Sequence, residues 1–179
     1  VLIAVYYLGM TATQNQRIAT LIAYIAHSKQ YAVFRALKKA HPEVEVFLVG
    51  GAVRDVLMGR ETKDYDFVVR GVSKTTLEKH LRQYGTVHLV GKKFGVFKFV
   101  AKDGVRTAKK EEAAEVIDIA LPRTESPINH TGHYRDFEIK TDAQLPITED
   151  LARRDFTVNA IALNIFTKEV VDPFDGVKD

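Results

Sequence analysis

Leu48-Val49-Gly50-Gly51-Ala52-Val53-Arg54-Asp55-Val56-Leu57-Met58-Gly59-Arg60, followed two residues later by Lys63-Asp64-Tyr65-Asp66-Phe67-Val68-Val69, is the stretch on which the reading of this chain turns. Val44 to Val49 is rich in β-branched residues and predicts a short strand; Gly50-Gly51 turns it into a brief helix that Gly59 closes. Asp64 to Val69 predicts a second strand. Residues i and i+2 of a strand point to one face roughly 6 to 7 Å apart, so Asp64 and Asp66 are spaced to share a hard cation. Mg2+ takes oxygen ligands and keeps substrate phosphates in its shell, which suits such a pair. Gly50 and Gly51 let backbone N–H groups approach phosphate oxygens at a helix N-terminus, and Arg54, one turn in, can add a charge-assisted contact. The same residues also fit a tight turn with Arg54 and Asp55 in a structural ion pair, and an isolated Asp-x-Asp is common in turns.

Upstream, Ile18, Leu21, Ile22 and Ile25, then Val33, Phe34 and Leu37, recur at helical spacing, with Pro42 after the end. They predict a helix or helix pair over residues 15 to 40 whose apolar stripe is a core contact. Downstream, Ser73 caps a helix with Leu77, Leu81 and Tyr84 on one face, ended by Gly85. Strands are expected near 86 to 90, 95 to 101 and 116 to 121, with a loop from Lys102 to Glu115 and irregular chain from 122 to 147. A helix over 149 to 158 and a hairpin from Ala160 to Asp172 follow. The sum is an α+β fold, a mixed and mostly antiparallel sheet with helices mainly on one face.

Asp118 is a lone charge in the apolar run Val116-Ile117-Asp118-Ile119-Ala120 and so needs a partner. It is the candidate third carboxylate of a two-metal site, against the alternative of an edge position facing water. Arg123 either serves a substrate or pairs with Glu125. His130 and His133 sit three apart in a loop without cysteine or a further ligand, which is a weak basis for zinc.

The run Leu48 to Val69 resembles the signature of the class II tRNA nucleotidyltransferases (CCA-adding enzymes) and bacterial poly(A) polymerases, within the polymerase-β-like nucleotidyltransferase superfamily. Glu149-Asp150-Leu151-Ala152-Arg153-Arg154-Asp155-Phe156-Thr157-Val158-Asn159-Ala160 resembles that family's R-R-D block, and Asp172-Pro173-Phe174-Asp175-Gly176 the close of its head domain. The resemblance covers about residues 46 to 179. It implies a head domain over residues 45–179 preceded by an N-terminal extension with a helix over 1–44, the neck, body and tail lying outside this sequence. It implies that Asp64 and Asp66 bind the metal, Mg2+, and that Gly51, Arg54 and Arg154 contact the incoming nucleotide, with Gly50 in the same turn. Arg153, Asp155 and Asn159 are further candidates for triphosphate and ribose contacts. Arg153 and Arg154 diverge by about 100° on a helix, so one reaches the triphosphate while the other packs or pairs.

The implied reaction is template-independent transfer from CTP and ATP to the 3′ end of tRNA, a 3′-hydroxyl attacking the α-phosphorus while bound metal assists both hydroxyl and leaving pyrophosphate. Val90-Gly91-Lys92-Lys93-Phe94-Gly95-Val96-Phe97 and Ala120-Leu121-Pro122-Arg123-Thr124-Glu125 with Thr131-Gly132 resemble the CCA-adding branch. Poly(A) addition to RNA 3′ ends is the alternative within the family, and a non-catalytic RNA- or nucleotide-binding module the alternative outside it. Glu149-Asp150-Leu151-Ala152-Arg153 formally fits E-D-x-x-R, the family's base-reading pattern. It overlaps the R-R-D block and reads as a helix start.

Bulk properties agree with these expectations. The 179 residues, 46% hydrophobic and 27% charged, suffice for a compact core. Without cysteine the chain has neither disulfides nor thiolate metal sites, which suits the cytoplasm. Residues 35 to 110 hold 17 Lys/Arg against 8 Asp/Glu, whereas 111 to 179 hold 7 against 15. A basic surface beside carboxylates suits a polyanion turned over by cations, though solvated faces would give the same count. The apolar start, Val1 to Leu8, is far shorter than the roughly 20 residues of a membrane span, so no membrane partner is expected, and the chain reads as cut from a longer one.

Overall fold

The computed structural model describes residues 9–28, 31–62, 64–90, 95–102, 116–127 and 137–179. Val1 to Leu8, the loop expected beyond Lys102, the Lys92-Lys93 pair, Thr131-Gly132 and the histidines 130 and 133 lie outside the described residues. Helix α1 (Ala12–His27) starts at a capping box in which Thr11 Oγ1 accepts from Gln14 N and the Gln14 side chain accepts from Thr11 N. Helix α2 (Ala32–Ala40) follows, then β1 (Glu45–Val49), α3 (Gly51–Met58), β2 (Asp66–Arg70) and α4 (Lys74–Tyr84), the last capped by Ser73 as expected. Strands β3 (Gly85–Val90), β4 (Val96–Ala101), β5 (Ile117–Ala120), β6 (Arg123–Pro127) and β7 (Phe137–Thr141) lead to α5 (Ile147–Ala152), a 3-10 turn at Thr157–Asn159, and strands β8 (Ala162–Asn164) and β9 (Val170–Val171). Among the described residues no helix is long and apolar enough to cross a membrane.

The main sheet runs β3-β4-β5-β2-β1-β8-β9. Its neighbours are antiparallel except β2 and β5, which are parallel. This is the mixed, mostly antiparallel α+β sheet that the sequence predicts. At one height the register aligns Lys98, Asp118, Asp66, Val49 and Ala162 across five strands.

Strand alternation sorts the two faces. Val46, Leu48, Phe67, Val69, Phe97, Phe99, Ile117 and Ile119 are buried in one cluster with α1 to α4. Phe47, Val49, Val68 and Ala162 point the other way and pack with Ile147 and Leu151 of α5. Asp66, Lys98 and Asp118 alternate with the first set and so occupy the face shared with α5. The first two helices belong to the larger core: Phe34 of α2 is fully buried, and its ring lies 4.7 Å from that of Phe67, the neighbour of Asp66 in β2.

Several expectations need correction. The second strand begins at Asp66, not Asp64. Val49 is the last β1 residue with a partner on β2, and Gly50 then turns the chain away at φ 69°, leaving Asp64 and Tyr65 nothing to pair with on that side. Residues 123–127 and 137–141, expected to be irregular, form an antiparallel pair. Arg123-Thr124-Glu125-Ser126-Pro127 carries no apolar alternation to mark a strand, and in its partner the alternation is limited to Phe137 and Ile139. The helix expected over 149 to 158 is shorter, ending at Ala152 where Arg154 N donates to Leu151 O in a tight turn. The terminal hairpin is present but brief, and its turn is held by Asn164 Oδ1 accepting from the Phe166 and Thr167 backbone.

Because Phe34 joins α2 to the strand bearing Asp66, Phe34→Ala is expected to cost about 3–5 kcal/mol in urea unfolding, the ordinary penalty for a buried Phe truncation. A loss below about 1 kcal/mol would mean that α2 is an appendage to the sheet.

Candidate active site

The parallel pairing of β2 with β5 sets Asp66 directly beside Asp118, on strands about 4.8 Å apart. Asp66 is exposed at the surface of the face, yet partial desolvation of its carboxyl raises its pKa above the ordinary carboxylate value, and Asp118 and then Asp64 push it further. Arg154 and Lys98 pull the other way. Asp64, in the turn before β2, is exposed and near enough to act on Asp66 by charge. On the far side of Asp118, Lys98 Nζ donates to both of its carboxylate oxygens, at 2.9 and 3.0 Å. That contact raises the Lys98 pKa.

Arg154 links this row to the Gly-Gly turn. Gly50 holds φ 69° and ψ −137°, a backbone state open to glycine, and a Cβ there would stand 2.9 Å from Arg154 Nη1. Gly50 is therefore both the hinge between β1 and α3 and the space that the guanidinium occupies. Burial lowers the Arg154 pKa, and the Asp150 carboxylate opposes that shift.

Asp150 is fully buried. Its Oδ1 accepts from the Arg123 backbone N at 3.0 Å and from Arg153 Nε and Nη2 at 3.2 and 3.0 Å. Its Oδ2 is 3.5 Å from Arg154 Nη2. Among the described residues, Asp150 Oδ2 and Arg154 Nε make no hydrogen bond. Arg153 also donates to Glu125 at 2.8 Å, and Glu125 accepts from Arg123 Nε at 3.1 Å. A buried carboxylate surrounded by arginines is costly to assemble and costlier to break, so this cluster fixes how Arg154 is presented.

The remaining predicted residues form a second group. Arg54 Nη1 donates to Asn159 Oδ1 at 2.8 Å, and its Nε and Nη2 contact Asp55 at 2.9 and 2.8 Å. Gly51 lies against the same guanidinium. Asp155 stands exposed. Asp64, Asp66, Asp118, Gly50 and Arg154 thus meet at one mouth with the Gly51, Arg54 and Asn159 group beside it, while Arg153 is engaged with Asp150 and Glu125. Sequence reasoning missed Lys98, and it took Asp150 for a helix start. The alternation of Lys98 between Phe97 and Phe99 marks its face, but nothing local gives its height beside Asp118.

Among the described residues no three acidic or histidine side chains stand close enough to hold an ion unaided. The Asp66–Asp118 pair with Asp64 nearby is a partial shell of hard oxygens, the kind that other oxygen ligands complete around a divalent cation. Burial raises the Asp66 pKa first and the neighbouring Asp118 charge adds to it; a bound cation would offset both, so the residues fit such an ion.

A family model described as the poly A polymerase head domain matches residues 46–179. The chain is similar to the multifunctional CCA protein of Xanthomonas campestris pv. campestris (strain B100), 38% identical over 136 residues that cover 76% of this chain and 28% of that protein. It is similar also to the multifunctional CCA protein of Pseudoalteromonas atlantica, 39% identical over 137 residues with the same 76% and 28% coverage. It spans under a third of the length of these relatives. Among solved structures it resembles the Bacillus stearothermophilus CCA-adding enzyme in complex with CTP, at a TM-score of 0.58 and 26% identity, covering 82% of this chain and 29% of that one. The Thermotoga maritima CCA-adding enzyme complexed with tRNA(CCA) gives a TM-score of 0.58 at 28% identity, with 90% and 33% coverage.

The raised pKa of Asp66 has a definite sign in stability. Between its unfolded and folded values the native chain binds the proton better, so the contribution is fully present below the unfolded pKa and is lost as pH rises through the folded one. Asp66→Asn removes that loss. Its Tm at pH 7 should equal or exceed that of the parent, with the difference shrinking toward pH 4 in a melting series; a lower Tm at neutral pH would contradict the cost that burial and then Asp118 impose on the Asp66 charge.

Proposed function

The chain belongs to the poly A polymerase head-domain family, as a head of the class II tRNA nucleotidyltransferase type, and from that premise we propose that it is the catalytic head of a CCA-adding enzyme. It transfers nucleotides from CTP and ATP to the 3′ end of tRNA. The observation that carries this reading is the pairing of Asp66 with Asp118 beside an arginine seated on the Gly50 turn. The names of the curated relatives favour CCA addition over poly(A) addition. A module without chemistry would have no use for a half-desolvated carboxylate placed directly beside a second one, an arrangement in which burial first and Asp118 next raise the Asp66 pKa.

In this mechanism Asp64 and Asp66 hold Mg2+, with Asp118 completing the acidic row. When bound, that ion supplies the positive charge that acidifies an attacking 3′-hydroxyl and stabilises the departing pyrophosphate. Arg154 and the backbone N–H of Gly51 grip the triphosphate, while the Gly50 N–H, expected from the sequence to do the same, donates to Ile161 O instead and leaves Gly50 to make room for the guanidinium. Asn159, oriented by Arg54, lies beside Gly51 where the ribose is expected. Arg153 acts on the nucleotide indirectly, through Asp150 and Arg154. Asp155 is exposed at the edge of the same turn and serves as an outer polar contact. The basic surface of residues 35 to 110 guides the tRNA, and the cytoplasm is where that substrate is met.

Magnesium-dependent incorporation of labelled CTP and ATP into tRNA lacking its 3′ terminus, by the natural protein that carries these residues, is the direct test. Asp64→Asn and Asp66→Asn should each abolish it, and near-normal turnover in either would remove the assignment.

Base choice is a separate matter. Rejecting a wrong base strongly requires side chains placed to hydrogen-bond a base edge. Asp150 and Arg153, which fit the family's base-reading pattern by sequence, are bonded to each other instead. The 179-residue chain with Mg2+ is therefore expected to bind ATP, CTP, GTP and UTP with similar, weak affinities in calorimetric titration. A tenfold preference for CTP or ATP, about 1.4 kcal/mol, would place base reading within these residues.

A further inference from the structure

We propose that Lys98 is a positioning residue of the acidic row: its ammonium holds Asp118 as a built-in counter-cation and thereby limits how tightly the site takes a divalent ion. The inference rests on the reading of Asp64 and Asp66 as ion-holding residues, and concerns a side chain to which that reading gives no part.

Lys98 cannot avoid this position. Its neighbours in β4, Phe97 and Phe99, are fully buried on the opposite face, so alternation commits Lys98 to the face of the carboxylates. Antiparallel register with β5 then sets it directly beside Asp118, and parallel register sets Asp118 beside Asp66. Lys98 Nζ donates to both oxygens of Asp118, at 2.9 and 3.0 Å. Lys98 is an ammonium at neutral pH, as an exposed lysine ordinarily is. On its other side the next residue in the row is His88, which is exposed.

Two consequences of opposite sign follow. A carboxylate offers about four lone-pair sites, and Lys98 takes one on each oxygen of Asp118, so an ion held by Asp64 and Asp66 would meet an ammonium at the third carboxylate of the row. Like charges a few ångströms apart repel, which weakens ion binding. In the absence of an ion, the same ammonium offsets the repulsion among Asp64, Asp66 and Asp118 and steadies the fold. Lys98 thus trades ion affinity for a site that remains folded and ordered between ions.

The test is Mn2+ titration of the 179-residue chain, followed by the electron paramagnetic resonance of free Mn2+, together with melting curves with and without Mn2+. Lys98→Met should bind Mn2+ about fivefold tighter or better, melt lower than the parent without the ion, and regain that difference when Mn2+ is added. Lys98→Gln, which keeps a polar donor but no charge, should tighten binding in the same way and serves if the Met variant fails to fold. Lys98→Arg should stay within about twofold of the parent, as should Lys79→Met, the loss of an exposed lysine on α4. Unchanged or weaker Mn2+ binding in the neutral variants overturns the inference, and so does equal tightening in Lys98→Arg, since charge would then not be the cause. Asp66→Asn separates the two levels. If it binds Mn2+ as the parent does, the ion is held elsewhere and the reading of the site fails. If it loses Mn2+ while the neutral Lys98 variants bind as the parent does, only the inference about Lys98 fails.

Discussion

Parallel pairing of β2 with β5 brings two carboxylates, Asp66 and Asp118, side by side on adjacent strands, and the surrounding site answers to their repulsion. Lys98 neutralises Asp118 from one side, and Arg154 acts on Asp66 from the other. Arg154 in turn requires a glycine at position 50 to make room and a buried carboxylate, Asp150, to face it. Asp150 requires Arg153 and the backbone of Arg123, and both arginines reach Glu125 in β6. The small β6–β7 sheet is therefore tied to Arg154 through charged contacts, and Arg154 acts on the acidic row by its charge. Removing a member leaves a buried charge without its partner, the costly case for buried ion pairs.

What allows so much like charge on one face is the apolar packing on the other. Phe67, Phe97, Phe99, Ile117 and Ile119, neighbours in sequence of Asp66, Lys98 and Asp118, are almost wholly buried against the helices. Each such side chain contributes about 1.5–3 kcal/mol on burial, and together they hold the strands at a fixed height whatever the charges prefer. The acidic row thus stands on rigid strands. Asp64 precedes β2 and lies outside the strands. Helix α5 covers the neighbouring part of that face, so Val49 and Ala162 of the same cross-strand row are buried where Asp66 and Lys98 are open.

The candidate groups were legible in the residues themselves. Gly50-Gly51 between a β-branched strand and a short helix, two aspartates spaced by one residue, a lone Asp118 in an apolar strand and the Arg153-Arg154-Asp155 block each carry their meaning within a few positions. The helices and most strands were legible too, since 3.6- and 2-residue periods are local properties. Alternation even determined that Asp66, Lys98 and Asp118 face away from the four helices. Tertiary structure alone decided their heights. Register between strands distant in sequence depends on how the whole apolar face packs, so the contact of Lys98 with Asp118 had no local sign, nor had the capture of Arg153 by Asp150 and Glu125. The β6–β7 pair escaped because β6 has no apolar alternation and that of β7 is only Phe137 and Ile139, too short to mark a strand by itself. Asp64 fell outside its expected strand because pairing stops where Gly50 turns β1 away. A sequence records which groups are available and which face they take; the distance between them is a property of the packed sheet.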